Sequence, residues 1–381
     1  MIRVLLICLM FIAFKTEAQT SVLNIADSLF AHGNYAKAIE QYNMCSPQEA
    51  VYSKLAKAYI ALGNYDNALL NFEKAIKTDP ENLLLKYDYA KLLSSTKNLN
   101  KASEAFSKLV EIDSLNPNYH YELGLVLEQL KDSTAQTQFI KTFELDNTHQ
   151  KTIFKIAKFY LIKRKHDSAA YYIDRGLKSY ENNRELISLK AQNYYWLQDY
   201  TNAAKWFEKL LDLGESSEFI HEKLSLCYAQ IYDYEKAIEQ RLQALNYNPN
   251  NAAAIYVIGT YYEELRDFKN AEAYMSKALL LMDQPLDAEY RRLGAVLNQQ
   301  KKYKEAIEVF KKAIKEDPAN EFSNLHLAIT LEQYYGDYDS KINVYENFKK
   351  KFPNSKMKNF IDSRIDEIKR EKFLNEEEKE D

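Results

Sequence analysis

Histidine is the side chain best suited to hold a metal or to move a proton near neutral pH, and this chain of 381 residues contains six of them. None has another histidine or a cysteine within four residues, the spacing that would turn two ligands to one side of a helix. The pattern therefore predicts no metal centre. The six positions are His32, His120, His149, His166, His221 and His326.

Glycines that cradle a phosphate must lie within a few residues of one another. The two nearest glycines in this sequence, Gly33 and Gly63, are 30 residues apart. A serine between two glycines, at the spacing of a hydrolase nucleophile, is also absent from the sequence. The sequence therefore predicts no catalytic residue and no cofactor, so we expect a protein that is not an enzyme.

The first 18 residues have the layout of a secretory signal peptide. Arg3 supplies a positive start, an apolar run extends from Val4 to Phe14, and Ala18 is a small residue at the expected cleavage point. The run is shorter than the roughly 20 residues that a transmembrane helix needs. The alternative is an N-terminal helix that packs on the rest of the protein. We expect residues 1–18 to be a signal peptide and the mature chain to be exported, to the periplasm or the outer cell envelope.

One alanine recurs in the same local context through most of the chain. The step from Ala68 to Ala102, and again from Ala203 to Ala237, is 34 residues. In most copies an aromatic residue stands three positions earlier and a bulky residue four positions later. A spacing held over so many copies indicates a repeat architecture. The recurring alanines are Ala38, Ala68, Ala102, Ala169, Ala203, Ala237, Ala271 and Ala306.

Each copy has the pattern of two helices. In residues 49–82, a first apolar stripe with helical spacing begins at Tyr52. Gly63 should end that helix, and a second stripe begins at Tyr65 and stops before Pro80, which cannot continue a helix. The small alanine in the second stripe should let the two helices approach closely. Because one helix pair cannot bury both stripes, we expect the copies to stack.

The repeat resembles the tetratricopeptide repeat family, whose motif sets Trp, Leu, Gly and Tyr on a first helix and Ala, Phe, Ala and Pro on a second. The resemblance implies an all-α fold, a right-handed superhelical solenoid of stacked antiparallel helix pairs. Residues 287–320 carry the motif as Tyr290, Leu293, Gly294, Leu297, Tyr303, Ala306, Phe310, Ala313 and Pro318. About ten repeats fit into residues 19–354. Their edges lie near 19–48, 49–82, 83–116, 117–149, 150–183, 184–217, 218–251, 252–285, 287–320 and 321–354.

Two repeats depart from the motif, and one more helix follows the last repeat. The tenth repeat lacks the alanine, and the fourth has one residue fewer at its turn. We expect residues 355–374 to form a helix that covers the end of the stack, and residues 375–381 to be an acidic, frayed tail. In the fourth repeat, the positions where the aromatic residue and the alanine are due hold Ser133, Ala135 and Gln136.

Removal of the signal peptide would leave two cysteines, Cys45 and Cys227. A disulfide requires their Cα atoms to lie within about 7 Å of each other. The two cysteines belong to the first and seventh repeats, and packed helices are about 8–10 Å apart. We therefore expect two free thiols, both buried.

The resemblance also implies where a partner would bind. In tetratricopeptide repeat proteins the first helix of each repeat lines a concave groove, through residues on the side away from the packing stripe. Aromatic side chains are common anchors at protein interfaces, and lysines attract acidic groups. The competing interpretation is that these aromatic residues only pack against neighbouring helices. The groove candidates are Lys57, Tyr87, Lys91, Tyr121, Phe154, Lys158, Tyr195, Trp196, Tyr256 and Arg291.

The net charge of the chain bears on which kind of partner it binds. The formal net charge of −4 argues against a protein that binds the nucleic-acid backbone, which would carry a basic excess. We expect a non-catalytic scaffold of the bacterial cell envelope that holds an acidic or aromatic peptide segment, or a partner protein, in its groove. The mature chain should have no transmembrane segment. The alternative is a module that binds glycans or small ligands, and an RNA-binding helical repeat is less favoured.

Overall fold

The computed structural model describes residues 22–282 and 286–380. Every regular element in these residues is a helix, and none is a strand. The prediction of an all-α fold is therefore confirmed. The predicted signal peptide, residues 1–18, lies outside the described residues.

The helices follow one another in pairs that are joined by short turns. Helix α1 covers residues 22–31, and a 3-10 turn at Gln48–Val51 precedes α3. The remaining helices are α2 (Tyr35–Met44), α3 (Tyr52–Ala61), α4 (Tyr65–Thr78), α5 (Leu83–Ser95), α6 (Leu99–Ile112), α7 (Pro117–Gln129), α8 (Ala135–Leu145), α9 (Gln150–Ile162), α10 (His166–Ser179), α11 (Arg184–Trp196), α12 (Tyr200–Asp212), α13 (Glu218–Gln230), α14 (Tyr234–Leu245), α15 (Ala252–Glu264), α16 (Phe268–Leu281), α17 (Asp287–Gln299), α18 (Tyr303–Glu316), α19 (Glu321–Tyr334), α20 (Tyr338–Lys351) and α21 (Lys358–Glu380).

The chain divides into two compact units, which we call unit 1 and unit 2. Unit 1 ends at Leu186 and unit 2 begins at Ile187. The boundary lies inside α11, so it coincides with no loop. Within unit 1, each helix from α2 to α10 packs against the next, and the same holds within unit 2 from α12 to α21. Each unit is thus an array of helix pairs, as the spacing of the alanines predicts.

The recurring alanine is where the two helices of a repeat meet. Ala68, Ala203 and Ala306 are completely buried. Four residues after Ala306, the Phe310 ring covers the backbone of the first helix so closely that a Cβ atom on Gly294 would lie 2.7 Å from ring atom Cε1. Small residues on both helices are therefore a steric requirement of this contact.

The structure shows where the missing residue of the fourth repeat belongs. Ala135 does take the alanine position, because it is buried and the buried Phe139 follows it by four residues. The missing residue belongs to the preceding turn, where Asp132 is equivalent to Asp233 and Ser133 stands in place of the aromatic Tyr234. Asp132 Oδ1 accepts hydrogen bonds from the backbone nitrogen and from Oγ1 of Thr134, at 2.8 and 2.7 Å. This bonding stabilises a turn up to Thr134, so α8 begins only at Ala135.

The C-terminal helix is longer than the sequence suggests. Helix α21 continues to Glu380, so residues 375–380 do not form the predicted frayed tail. Asn375 Nδ2 donates a hydrogen bond to Tyr338 Oη at 2.7 Å, and this contact ties the end of α21 to α20. Closer to its start, α21 buries Ile361 and Ile368 against the last repeat.

A buried ion pair joins α21 to the last repeat. The Glu332 carboxylate is 5% exposed, and its Oε1 accepts hydrogen bonds from Nη2 and Nε of Arg364 at 2.5 and 3.1 Å. Its Oε2 accepts a hydrogen bond from Tyr345 Oη. Burial alone would raise the pKa of Glu332, but the hydrogen bonds from Arg364 and Tyr345 outweigh burial and hold the pKa below its usual value.

Both cysteines of the described residues are buried free thiols, as predicted. Burial raises the pKa of Cys227 to about 12, and burial together with the charge of Asp27 raises the pKa of Cys45. Because the thiolate is the reactive form, both side chains are poor nucleophiles in the folded protein. Their role is that of small apolar core residues.

The turns between paired helices contain left-handed residues that could not be predicted from the sequence. Gly33 and Gly63 end their helices with φ angles of 78° and 73°. Seven residues with a Cβ atom adopt the same left-handed conformation, with φ between 58° and 64°. Because this conformation is unfavourable for such residues, the packing of the flanking helices must impose it. The seven are Lys97, Lys131, Arg164, Gln198, Tyr232, Arg266 and Lys301.

Candidate functional site

The ten groove candidates lie on the first helices of their repeats, and they fall into two sets. The four of unit 2, which we call the unit-2 face, are carried by α11, α15 and α17. The six of unit 1, which we call the unit-1 face, are carried by α3, α5, α7 and α9. The unit-1 face consists of Lys57, Tyr87, Lys91, Tyr121, Phe154 and Lys158, and the unit-2 face consists of Tyr195, Trp196, Tyr256 and Arg291.

Two lysines of the unit-1 face connect neighbouring first helices. Lys91 Nζ on α5 lies 2.7 Å from Glu122 Oε1 on α7. Lys57 Nζ on α3 lies 3.7 Å from Asp88 Oδ2 on α5. The sequence suggests that these lysines attract an acidic partner. Since their charges are already paired, they contribute less to such attraction than expected.

The aromatic residues of the unit-1 face are half-buried. The Tyr87 ring packs 5.8 Å from the ring of Tyr119, centroid to centroid, and burial, with the charge of Glu122, raises the pKa of Tyr87 to about 12. The Tyr121 ring lies 4.8 Å from the His149 ring. Each ring therefore packs on a neighbouring helix with part of its surface and leaves the remainder accessible.

Lys158 differs from the other two lysines of this face. Its Nζ lies 5.6 Å from the centroid of the Phe154 ring, one helical turn earlier on α9. It forms no ion pair with any residue that the structure describes. A cation over an aromatic ring adds modest stabilisation at an exposed site. Phe154 and Lys158 together present an aromatic edge and an unpaired positive charge to the surroundings.

The unit-2 face has an aromatic cluster at its start. Lys223 Nζ lies 4.6 Å from the Tyr195 ring centroid, and the Tyr195 and Trp196 rings are 5.6 Å apart. Trp196 is 46% exposed. The cluster can therefore offer a large apolar surface beside a positive charge, the combination found at many interface anchors.

The other two residues of the unit-2 face are less accessible. Tyr256 packs against the core that includes Met275 and Leu293, and burial raises its pKa to about 12. Arg291 Nε is buried and has no hydrogen-bond partner among the described residues. For these two residues the geometry favours packing over binding.

Comparison with known proteins identifies the repeat. Models of the tetratricopeptide repeat match residues 59–123, 252–281 and 288–320, and the helix pairs described above follow the same phase. The chain is a tetratricopeptide repeat protein. Its resemblance to that family, inferred from the sequence, is thereby confirmed, and arrays of this family act as protein-interaction scaffolds.

Curated relatives share the repeat over much of this chain. The TPR repeat-containing protein YpiA of Bacillus subtilis is 22% identical, over 78% of this chain and 63% of its own length. The TPR repeat-containing protein MJ1428 of Methanocaldococcus jannaschii is 24% identical, over 88% of this chain and 56% of its own length. The human DnaJ homolog subfamily C member 3 is 24% identical, over 69% of this chain and 48% of its own length. The chain thus matches only about half to three-fifths of these relatives' lengths.

Two of the solved structures that this chain matches differ in length. The MamA protein is 21% identical, with a TM-score of 0.41, over 44% of this chain and 92% of that one. Yeast Tom70 is 16% identical, with a TM-score of 0.36, over 94% of this chain and 97% of that one. None of the helices in residues 22–282 and 286–380 combines the length and the apolar character that a membrane span requires.

Sequence reasoning misses one charged residue in the core of this tetratricopeptide repeat protein. Arg241 stands four residues after Ala237, the position that Phe207 and Phe310 occupy in their repeats, and it is only 5% exposed. Its Nη1 donates to Glu222 Oε1 at 2.9 Å. The available signal is the charge itself, because an arginine at a core position of the repeat requires a partner.

Two of the cavities within the described residues are lined mainly by residues that are not groove candidates. The larger, about 500 Å³, is enclosed by α4, α5 and α6 in unit 1. It includes Lys86, which stands where the motif has a bulky aromatic residue. The smaller, about 330 Å³, lies between the turn before α8 and helix α9. Among the described residues, no group of histidine, cysteine, aspartate and glutamate side chains is arranged to hold a metal.

Proposed function

We propose that this tetratricopeptide repeat protein is a non-catalytic scaffold that binds a peptide segment or a partner protein along the unit-1 face. The observation that carries the proposal is the row of half-buried aromatic residues on successive first helices, Tyr87, Tyr121 and Phe154. Rings that are held in place by packing on one side lose little conformational freedom when a partner covers the other side. The row therefore supplies preorganised apolar anchors, and Lys158 adds an unpaired charge beside them.

The proposed location is the cell envelope of a bacterium, and its support is the sequence of residues 1–18 alone. Cell fractionation followed by N-terminal sequencing tests it. We expect the protein in the periplasmic or envelope fraction with Gln19 as its first residue. A cytoplasmic chain that still begins at Met1 would contradict this part of the proposal and would leave the binding function untouched.

Peptide selection with a matched pair of variants tests the binding function. A library of random 12-residue peptides is selected against the wild-type protein, and the strongest peptide is then titrated against each variant. We expect Tyr121→Ala combined with Phe154→Ala to weaken binding at least tenfold, because truncation of an anchoring aromatic residue commonly costs 1 kcal/mol or more. Tyr180→Ala is the control, since that ring is 55% exposed and lies outside the unit-1 face.

Circular dichroism and thermal melting establish that both variants keep the helical fold. Two results count against the function. The first is a library that yields no peptide above background. The second is a folded double variant that binds the selected peptide as tightly as Tyr180→Ala does.

A further inference from the structure

One apolar side chain is exposed at a position that is buried in the other repeats. The tenth residue of each repeat from the second to the tenth lies on the first helix, and in eight of these nine repeats it is at most 8% exposed. In the fifth repeat this residue is Phe159, which is 37% exposed. The eight buried residues are Ala58, Leu92, Val126, Asn193, Cys227, Tyr261, Val296 and Thr330.

In one repeat the structure shows which group covers this position, and it is the aromatic residue at the start of the preceding second helix. In unit 2, the Tyr234 ring lies 5.9 Å from the ring of Tyr261, the tenth residue of the next repeat. The residue that corresponds to Tyr234 in the fourth repeat is Ser133, because Lys131 and Tyr232 share the left-handed conformation and the next residues, Asp132 and Asp233, donate equivalent backbone hydrogen bonds. No large side chain therefore stands at this place before Phe159, which is exposed.

The smaller cavity occupies this place. Its apolar wall is formed by Ala135, Phe139 and Phe159, and Ile162 stands at its rim with 69% of its surface exposed. A volume of about 330 Å³ is at the lower end of the range of ligand pockets, about 300–1,000 Å³. The cavity thus suits one inserted side chain better than a cofactor.

One polar group of the cavity wall lacks a partner. Gln136 Nε2 is buried and donates no hydrogen bond to any described residue. A buried amide without an acceptor is unfavourable. A ligand that brought a carbonyl or carboxylate oxygen to this nitrogen would remove the penalty.

The charges around the cavity are unequal. Both carboxylates in its wall are already bonded, Glu128 to Lys155 Nζ at 2.5 Å and Asp132 to Thr134. Lys131 and Lys158 also line the cavity, and neither forms an ion pair within residues 22–282 and 286–380. The rim therefore offers two unpaired positive charges, which favours an acidic ligand.

We propose that this cavity receives an aromatic side chain from a partner polypeptide, next to an aspartate or glutamate in the partner's sequence. The ring takes the place of the missing helix-initial aromatic residue and covers Phe159. The neighbouring carboxylate pairs with Lys131 or Lys158, and a carbonyl oxygen of the partner accepts from Gln136 Nε2. This inference rests on the proposed scaffold function, and it adds an anchor point with a defined chemistry at the edge of the unit-1 face.

Short peptides test the anchor directly. The protein is labelled with ¹³C at the methyl groups of alanine and isoleucine, and Ac-Glu-Phe-Glu-NH2 is titrated in by NMR. We expect shifts at the Ala135 and Ile162 methyl groups and a Kd below about 1 mM, which corresponds to roughly −4 kcal/mol. Ac-Glu-Ala-Glu-NH2 lacks the ring and Ac-Lys-Phe-Lys-NH2 reverses the charge. We expect each of them to bind at least fivefold more weakly.

Two variants locate the binding. Ser133→Tyr supplies the missing ring, so we expect it to reduce binding of the peptide at least tenfold. Tyr180→Ala lies outside the cavity and should bind within twofold of the wild type. Ile162→Glu provides a second, solvent-exposed variant that leaves the turn unchanged, should fold normally and should bind at least fivefold more weakly.

Several outcomes would overturn the anchor. These are no shift at 5 mM peptide (on the order of five times the expected Kd), equal binding of the alanine peptide, or unchanged binding by both Ser133→Tyr and Ile162→Glu. A concentration-dependent dimer that Ser133→Tyr abolishes would also overturn it, because the occupant would then be a second copy of the chain. If the peptides selected from the library bind Ser133→Tyr normally but lose affinity for the Tyr121 and Phe154 variant, the scaffold function stands and only the anchor is wrong.

Discussion

Arg364→Met lowers the free energy of unfolding of the last repeat and α21 by about 3 kcal/mol, because it leaves the Glu332 carboxylate buried without its cation. The methionine keeps an unbranched apolar stem, so the loss reports the guanidinium with its charge and its hydrogen bonds to Glu332. Hydrogen exchange of the α21 amides, followed by mass spectrometry through a urea series, measures the local stability. Local measurement is needed because repeat arrays do not always unfold in one step.

The control is Arg370→Met, an exposed arginine on the same helix whose Nε reaches only a backbone oxygen at 3.4 Å. We expect it to change stability by no more than about 0.5 kcal/mol. Equal effects of the two substitutions would show that the buried ion pair does not hold α21 in place.

The effect of Arg364→Met should depend on pH in a stated direction. The folded-state pKa of Glu332 is lowered, so the ion pair stabilises the protein above the unfolded-state pKa of about 4.3. This stabilisation is lost as the pH falls through the folded-state pKa. The difference between the wild type and Arg364→Met should therefore be largest near neutral pH. It should shrink as the pH falls, because the buried Glu332 of the variant takes up a proton before that of the wild type does. A difference that stayed constant into the acid range would contradict the assignment.

Phe310→Ala should destabilise the ninth repeat by about 3–5 kcal/mol, the usual loss when a fully buried phenylalanine is truncated. Gly294→Ala should also destabilise it, by about 1–2 kcal/mol, because overpacking against the Phe310 ring outweighs the helix preference of alanine. Phe322→Ala, on the next first helix, is the control, since that ring is 52% exposed.

The effects of the two substitutions on the free energy of unfolding should not be additive. In the double variant the new methyl group no longer meets a ring, so only its helix preference remains. The double variant should therefore be about 1 kcal/mol more stable than Phe310→Ala alone. Urea unfolding of all four proteins gives the coupling. Simple additivity would mean that the close contact of Gly294 with Phe310 does not constrain residue 294.

The positions of the helices could be predicted from the sequence because each repeat must form the same packing contacts with its neighbours. A small residue is required wherever two helices touch, so Ala68 and Ala306 occur in the same context and give the period. The structure of the turn before Ala135 could not be predicted in this way. There the deletion shifts the alanine by one residue, and only the burial of Phe139 shows which alanine takes the repeat's position.

The groove candidates could be predicted only as a set of positions. Their spacing places Lys91 and Lys158 on equivalent faces of α5 and α9, but it does not show which lysine has a carboxylate beside it. Lys91 is paired with Glu122, 31 residues later, whereas Lys158 lies over Phe154. The cavity beside Phe159 is harder to foresee, because it arises from a ring that is missing in the preceding repeat.

The left-handed turns indicate how this chain could be made more robust by design. All seven non-glycine residues in that conformation are exposed. Lys97 Nζ donates to Gln129 Oε1 on α7, and the Tyr232 ring packs on that of Tyr234, so Gln198, Arg266 and Lys301 are the positions of choice. Glycine at one such turn would relieve about 1–2 kcal/mol of strain and lose about 0.5–1 kcal/mol to its greater backbone entropy when unfolded. The net gain is small at each turn and accumulates along the array. The repeats thus provide a scaffold whose heat tolerance can be adjusted at its turns while its recognition residues stay as they are.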